Sequence, residues 1–124
     1  MPKNTAIPYF AAGPFTGTPT VDVTGKRFVK YATGGKGGAP KIAKATAKLA
    51  IAGVAAHDQT AGVPVTVETD GVVPVTAGEA IAAGDQIAAG TDGVAMKVTT
   101  GDVVVGVAVA DAAINTDAPI RLSV

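Results

Sequence analysis

Few residues in this chain are able to do chemistry. His57 is the only histidine, and it adjoins Asp58. An imidazole beside a carboxylate can move protons. A hydrolytic centre also needs a nucleophile, and here the chain offers little. It has no cysteine, and its one serine, Ser123, lies next to the C-terminus outside any nucleophile-elbow pattern. A zinc site takes three or four ligands, and only carboxylates remain to join His57. A lone histidine in a turn is ordinarily a solvated or capping residue. Gly34-Gly35-Lys36-Gly37-Gly38 invites comparison with a phosphate-binding loop. That motif needs Ser or Thr after its lysine and a helix beyond, and Lys36 is followed by Gly37. Asp70, Asp85, Asp92, Asp102, Asp111 and Asp117 mostly neighbour glycine or alanine. Their spacing does not match a calcium-binding loop, whereas aspartate in turns caps its own backbone. The residues point to no enzyme, no cofactor and no metal.

Charge is informative through its distribution. The formal net charge is zero. Yet residues 1–57 carry Lys3, Lys26, Arg27, Lys30, Lys36, Lys41, Lys44 and Lys48 against the single acid Asp22. Residues 58–124 carry the remaining acids, with only Lys97 and Arg121 as bases. A split of this kind suggests a basic segment lying on something acidic. Four partners are open: the other half of the chain, a neighbouring copy, nucleic acid, or a separate protein surface. Nucleic acid ranks low, because there is no helix-turn-helix pattern and no aromatic platform for base stacking.

The elements that would position these residues read as strands. Val63, Val65 and Val67 alternate with Pro64, Thr66 and Glu68, the period of a strand with one buried face. Asp70-Gly71 breaks the run as a hairpin turn would, and Val73 and Val75 resume it. Short strands are also expected at Val21–Val23, Lys26–Tyr31, Gln86–Ala88, Val94–Val98 and Val103–Val109. The spacing of strands and turn signals predicts an all-β fold, a small barrel or sandwich. Thr33–Pro40 reads as the glycine-rich part of a flexible basic loop over residues 33–48. Lys41–Ala52 fits either helix or strand periodicity, with extended structure favoured by its surroundings and a strand entered at Leu49.

At 124 residues the chain is one domain. Its apolar residues are mostly alanine and valine, with few aromatics and no tryptophan. Small side chains bury little area each, so neighbouring molecules are expected to contribute to stability. No apolar run is long enough to cross a membrane as a helix, and the N-terminus lacks the apolar core of a signal peptide. Residues 1–20 hold Pro2, Pro8, Pro14 and Pro19, which block helix. Ile7, Tyr9, Phe10 and Phe15 lie among them. An extended arm with apolar anchors is expected to dock, leaving residues 21–124 as the body.

Gly-Val-Ala occurs at 53–55 and again at 106–108, each time leading to a proline-initiated strand at Pro64 or Pro119. Two similar hairpin-like units would flank the central stretch and pair with each other.

These features resemble the bacteriophage capsid-cement, or head decoration, proteins. The resemblance rests on Gly53-Val54-Ala55, Asp58, Gly62 to Val67, Asp70 to Val75, and Ala80 to Ile87. It also draws on Gly101-Asp102, Gly106-Val107-Ala108 and the terminal Pro119–Val124, and it covers roughly residues 49–124. The Gly78 to Asp85 spacing is also similar to the β-clip turns of unrelated binding domains. The resemblance implies a non-enzymatic virion protein on the outer capsid surface, made in the host cytoplasm. It implies a homotrimer at three-fold or quasi-three-fold positions that clamps adjacent major-capsid subunits, with no direct contact to nucleic acid or membrane. The expected contact residues are Ile7, Tyr9, Phe10, Phe15, Lys26, Arg27, Lys30, Lys36, Lys41, Lys44 and Lys48. The alternative is a carbohydrate- or host-surface-binding β module displayed on a virion.

Overall fold

A computed structural model of the chain describes Asn4 and residues 13–123. Ten strands account for the architecture: β1 (Phe15–Pro19), β2 (Phe28–Lys36), β3 (Ala39–Lys44), β4 (Gly53–Ala55), β5 (Val65–Glu68), β6 (Val72–Thr76), β7 (Gln86–Ala89), β8 (Ala95–Lys97), β9 (Gly106–Ala108) and β10 (Asp117–Leu122). Among the described residues the fold is all-β, with one 3-10 turn at Thr91–Gly93. β1, β3, β2, β4 and β5 close into a barrel in that order. The other five strands form a second sheet ordered β6-β10-β9-β7-β8.

The two five-stranded units have the same plan. In the barrel, β4 meets β5 with Val54 opposite Glu68 and Ala55 opposite Val67. In the second sheet, β9 meets β10 with Val107 opposite Arg121 and Ala108 opposite Ile120. The hydrogen bonds repeat as well. Lys26 N–H donates to the Ala55 carbonyl and Gly84 N–H to the Ala108 carbonyl, both at 2.9 Å. Gly62 N–H donates to the Pro19 carbonyl and Asn115 N–H to the Ala77 carbonyl, both at 2.8 Å. Val23 exchanges two backbone bonds with Gln59, as Ile81 does with Ala112. The β1–β3 pairing of Pro19 with Ile42 recurs as a single parallel bridge between Ala77 and Ala95, which brings the ends of the second sheet together. The chain is therefore two copies of one five-stranded module, the first from β1 to β5 and the second from β6 to β10. The copies fall out of step at one place. Tyr31 and Ile42 face each other across the long β2–β3 hairpin, whereas their counterparts Ala89 and Ala95 are joined by the short 3-10 turn.

Three expectations change. The Gly-Val-Ala units do not pair with each other. Each supplies a strand to its own module, opposite that module's last strand. Asp70-Gly71 is not a hairpin turn, although Gly71 has the positive φ of 77° that such a turn favours. β5 pairs with β1 and β4, β6 pairs with β10, and the turn carries the chain from one module to the other. The loop expected over 33–48 is largely the β2–β3 hairpin, with Lys41–Lys44 in a strand and Leu49 outside one.

One core sits inside the first barrel, around Val29, Ile42, Val65 and Val67. The larger core belongs to the second module, and it also takes in Phe28, Ala45, Ile51 and Val54 from the first. The modules are thus fused by apolar packing, and Phe28, fully buried, is the largest side chain at the junction. Burying a phenylalanine contributes on the order of 1.5–3 kcal/mol, which a core of alanines and valines needs.

Candidate interaction surface

The residues expected to touch a partner do not form one patch. Ile7, Tyr9 and Phe10 lie outside the described residues. Residues 15–19, expected in the arm, are β1 of the barrel. Phe15 is buried in the barrel core, and its ring stacks on Tyr31 with centroids 5.8 Å apart and planes 19° apart. Stacking holds Tyr31 in place on the surface.

The basic residues divide in two. Lys26 Nζ lies 2.8 Å from Asp117, and Lys44 and Lys48 each lie 4.0 Å from an acid, Asp92 and Asp102. Arg27 donates to the Asp92 carbonyl at 3.4 Å. Each of these contacts runs from a base of the first module to the second module. The other half of the same chain is therefore one acidic partner of the basic segment. Most of these pairs are exposed and contribute at most about 1 kcal/mol each; they align the modules more than they hold them. Lys30 donates to the Thr46 hydroxyl at 2.7 Å. Lys36 and Lys41, on the β2–β3 hairpin, have no ionic or hydrogen-bonding side-chain partner among the described residues.

Asp102 is the most enclosed acid of this junction, its side chain 5% exposed. It accepts from the Thr99 N–H at 2.9 Å and the Thr99 hydroxyl at 3.0 Å. These bonds, chiefly the backbone one, with Lys48 adding to them, hold its carboxyl below the ordinary value of 3.8.

His57 and Asp58 do not form a catalytic dyad. The Asp58 carboxylate accepts from the Gly25 N–H at 2.8 Å, and its backbone carbonyl lies 2.8 Å from His57 Nδ1. Asp111 makes the equivalent link between distant segments in the second module, accepting from the Ala83 N–H at 2.8 Å. Asp22 and Asp85 likewise accept from the N–H groups of Ala61 and Ala82. Among the described residues no group of three or more potential metal ligands occurs, and no helix is long and apolar enough to cross a membrane.

Sequence reasoning passed over the apolar surface. Tyr31, Leu49, Val103, Val104 and Val107 are large, apolar and exposed. The first three line a depression of about 550 Å³ together with Lys30, Ala50 and Ile51. A depression of aliphatic side chains around one aromatic, with Lys30 in its wall, suits a protein surface better than a small polar ligand. The usable signal was Tyr31, an aromatic in a chain with almost none.

Comparison with known proteins gives this surface its setting. A family model for phage cement proteins matches residues 11–124, nearly all of both modules. The chain belongs to the phage cement protein family. Membership makes it a structural, capsid-associated component of the virion. The expectation from residues 49–124 therefore extends over the first module as well. Among solved structures, the N base of the head fiber protein gp8.5 of bacteriophage phi29 is similar, with a TM-score of 0.76 and 26% identity. The match covers 89% of this cement protein and 92% of that chain, so both modules are included. No curated protein matches.

Proposed function

We propose that this cement protein binds the outer surface of the phage head as a homotrimer and clamps adjacent major-capsid subunits against the pressure of packaged DNA. The observation that carries the reading is the family match across both modules. The physical features agree with it. The first barrel is closed, so it offers few free strand edges for uncontrolled pairing. Fusion of the modules through Phe28 and Val54 makes a rigid body, which a clamp requires. Lys36 and Lys41 on the hairpin offer positive charge to an acidic shell, and residues 1–12 bring Ile7, Tyr9 and Phe10 as apolar anchors. Many copies per shell make modest single contacts sufficient. The protein acts without catalysing a reaction.

A second reading is favoured by the phi29 likeness. That protein is the base of a head fiber, and this chain would then seat a further structure on the head. Display of a carbohydrate- or host-surface-binding module is the form such a role would take. Both readings share attachment to the shell.

The test is a truncation lacking residues 2–12, which leaves β1 intact. The expected result is a folded protein that no longer attaches to heads. Undiminished attachment would remove the arm from the account and leave the hairpin lysines and the apolar depression as the contact.

A further inference from the structure

Strand β2 has an open edge beside the apolar depression. On one side β3 flanks it from Val29, opposite Lys44, to Lys36, opposite Ala39, with an irregularity between Ala32 and Lys36. On the other side β4 meets it only at Phe28 and Val29. Backbone groups along a strand of an antiparallel ladder point to alternate sides. The Phe28 carbonyl accepts from the Ala45 N–H on the β3 side at 3.2 Å, and the Val29 carbonyl accepts from the Ala52 N–H on the β4 side at 2.7 Å. By the same alternation the N–H and C=O groups of Tyr31 and Thr33 turn away from β3. Among the described residues no strand pairs with them.

The gap beside this edge has a physical cause. Lys48 N–H donates to the Ala89 carbonyl at 2.8 Å, and Val103 N–H donates to the Lys48 carbonyl at 3.1 Å. These bonds draw the segment before β4 onto the second module and off β2. Tyr31, Leu49 and Val103 line the depression that results and are exposed in it. The stack of Phe15 on Tyr31 fixes one wall. Lys30 is the one charged residue in the lining, and its ammonium donates to the Thr46 hydroxyl rather than to a carboxylate. Lys30 lies opposite Ala43 and Ala32 opposite Lys41, so Lys30 and Lys41 share a face of the hairpin. The acids of the module junction, Asp92 and Asp102, lie against Lys44 and Lys48.

We infer that β2 receives a strand from the shell. An extended segment of the major capsid protein, carrying an apolar residue and flanking Asp or Glu, pairs with the edge at Tyr31–Thr33. Its apolar side chain enters the depression, and its carboxylates meet Lys30, Lys36 or Lys41. An added strand gains affinity from main-chain bonds and specificity from the pockets beside the edge. Lysines at an open edge turn away a strand that is itself basic. Charge therefore selects against this chain as the occupant: residues 28–44 carry no acid, and residues 1–12 carry Lys3 and no acid.

The inference rests on the proposed attachment to the shell, and its test separates the two. Thr33→Pro removes an outward N–H and leaves the bonds to β3 in place, since proline is tolerated at an edge. Leu49→Glu sets a carboxylate in the depression. Ile114→Glu, at an exposed apolar position outside it, is the control. Unchanged circular dichroism and melting temperature verify that the variants fold. Pelleting with expanded heads is expected to show binding about tenfold weaker for the first two and native binding for the control. Two measurements on the native chain need no variant. Hydrogen exchange over residues 30–36 should slow when heads are bound, and carbodiimide should cross-link Lys30, Lys36 or Lys41 to Asp or Glu of the major capsid protein. Native binding by Thr33→Pro and Leu49→Glu, exchange over residues 30–36 that heads do not slow, or cross-links only to a second copy of this chain would overturn the inference. Attachment to heads in any of those cases leaves the proposed function standing with a different contact. A native chain that does not bind heads would overturn both.

Discussion

Gly53 and Gly106 hold the same position in the two modules, each beneath the side chain of the strand opposite. A Cβ on Gly53 would lie 2.7 Å from Val67 Cγ1, and one on Gly106 would lie 2.7 Å from Ile120 Cγ2. Real Cβ atoms do not approach that closely, and the opposing backbone carbonyl closes the other side. The glycine of each Gly-Val-Ala unit is thus required by packing across the strand pair. Gly53→Ala and Gly106→Ala should each destabilise by roughly 1–3 kcal/mol, the usual cost of overpacking. Denaturant midpoints should fall with unchanged m-values, and by similar amounts. A neutral effect at either position would mean that the strand pairs are not equivalent.

Phe28 joins the modules, so its loss should be felt more widely than that of a surface aromatic. Phe28→Ala is expected to cost about 3–5 kcal/mol, a large part of the ~5–15 kcal/mol available to a domain. Tyr31→Ala, which removes an exposed ring, should cost far less. Thermal unfolding of the two variants checks the order, and equal losses would contradict the assignment of Phe28 to a shared core.

Asp102 makes stability depend on pH in a stated direction. Its folded-state pKa lies below the ordinary 3.8. The stabilisation is therefore complete above the unfolded-state value and is lost as pH falls through the folded-state value. Asp102→Asn should lower stability at neutral pH and flatten its decline on the acid side. Urea midpoints followed down through 3.8 and below measure this. A slope unchanged by the substitution would show that Thr99 and Lys48 do not bind the carboxylate in solution.

Lys36 and Lys41 have no ionic or hydrogen-bonding side-chain partner among the described residues, so their contribution should appear chiefly on attachment. Paired Lys36→Glu and Lys41→Glu substitutions should weaken binding to heads, and raising salt should weaken native binding as counterions screen the contact. Pelleting with heads across a salt series reads both. Binding indifferent to salt and to the substitutions would assign attachment to apolar contacts.

The strands were legible because alternation of valine with polar residues needs no knowledge of partners. Val65 and Val67, and Val75 in β6, turn inward as their spacing suggests, whereas Val63, on the same alternation, lies before β5 and is exposed. Pairing was not legible. Asp70-Gly71 specifies that the chain bends, but the same turn serves a hairpin or a crossing between modules. The β2–β3 hairpin was hidden in glycines that read as loop. Yet a Cβ on Gly35 would meet the Lys41 N–H nitrogen at 2.6 Å, so this glycine lies against the facing strand. The duplication showed in the sequence only as Gly-Val-Ala. Hydrogen-bonded counterparts such as Lys26 and Gly84, or Gln59 and Ala112, share no side-chain chemistry. The charge split was visible, but not that its two signs fall on matching modules. The local turn reading describes Asp85 and Asp102, which accept from N–H groups of the same turn, whereas Asp111 accepts from the distant Ala83 N–H and Asp117 pairs with Lys26, contacts that no local pattern announces.

The central claim is that this protein seats on the outside of the phage head and strengthens it. The most direct measurement adds the purified chain to expanded heads that lack it, images the particles, and follows shell rupture on heating. The account predicts added density on the outer surface across neighbouring capsid subunits and rupture at a higher temperature. Heads that take up no density, or that take it up and rupture at the same temperature as bare ones, would contradict it.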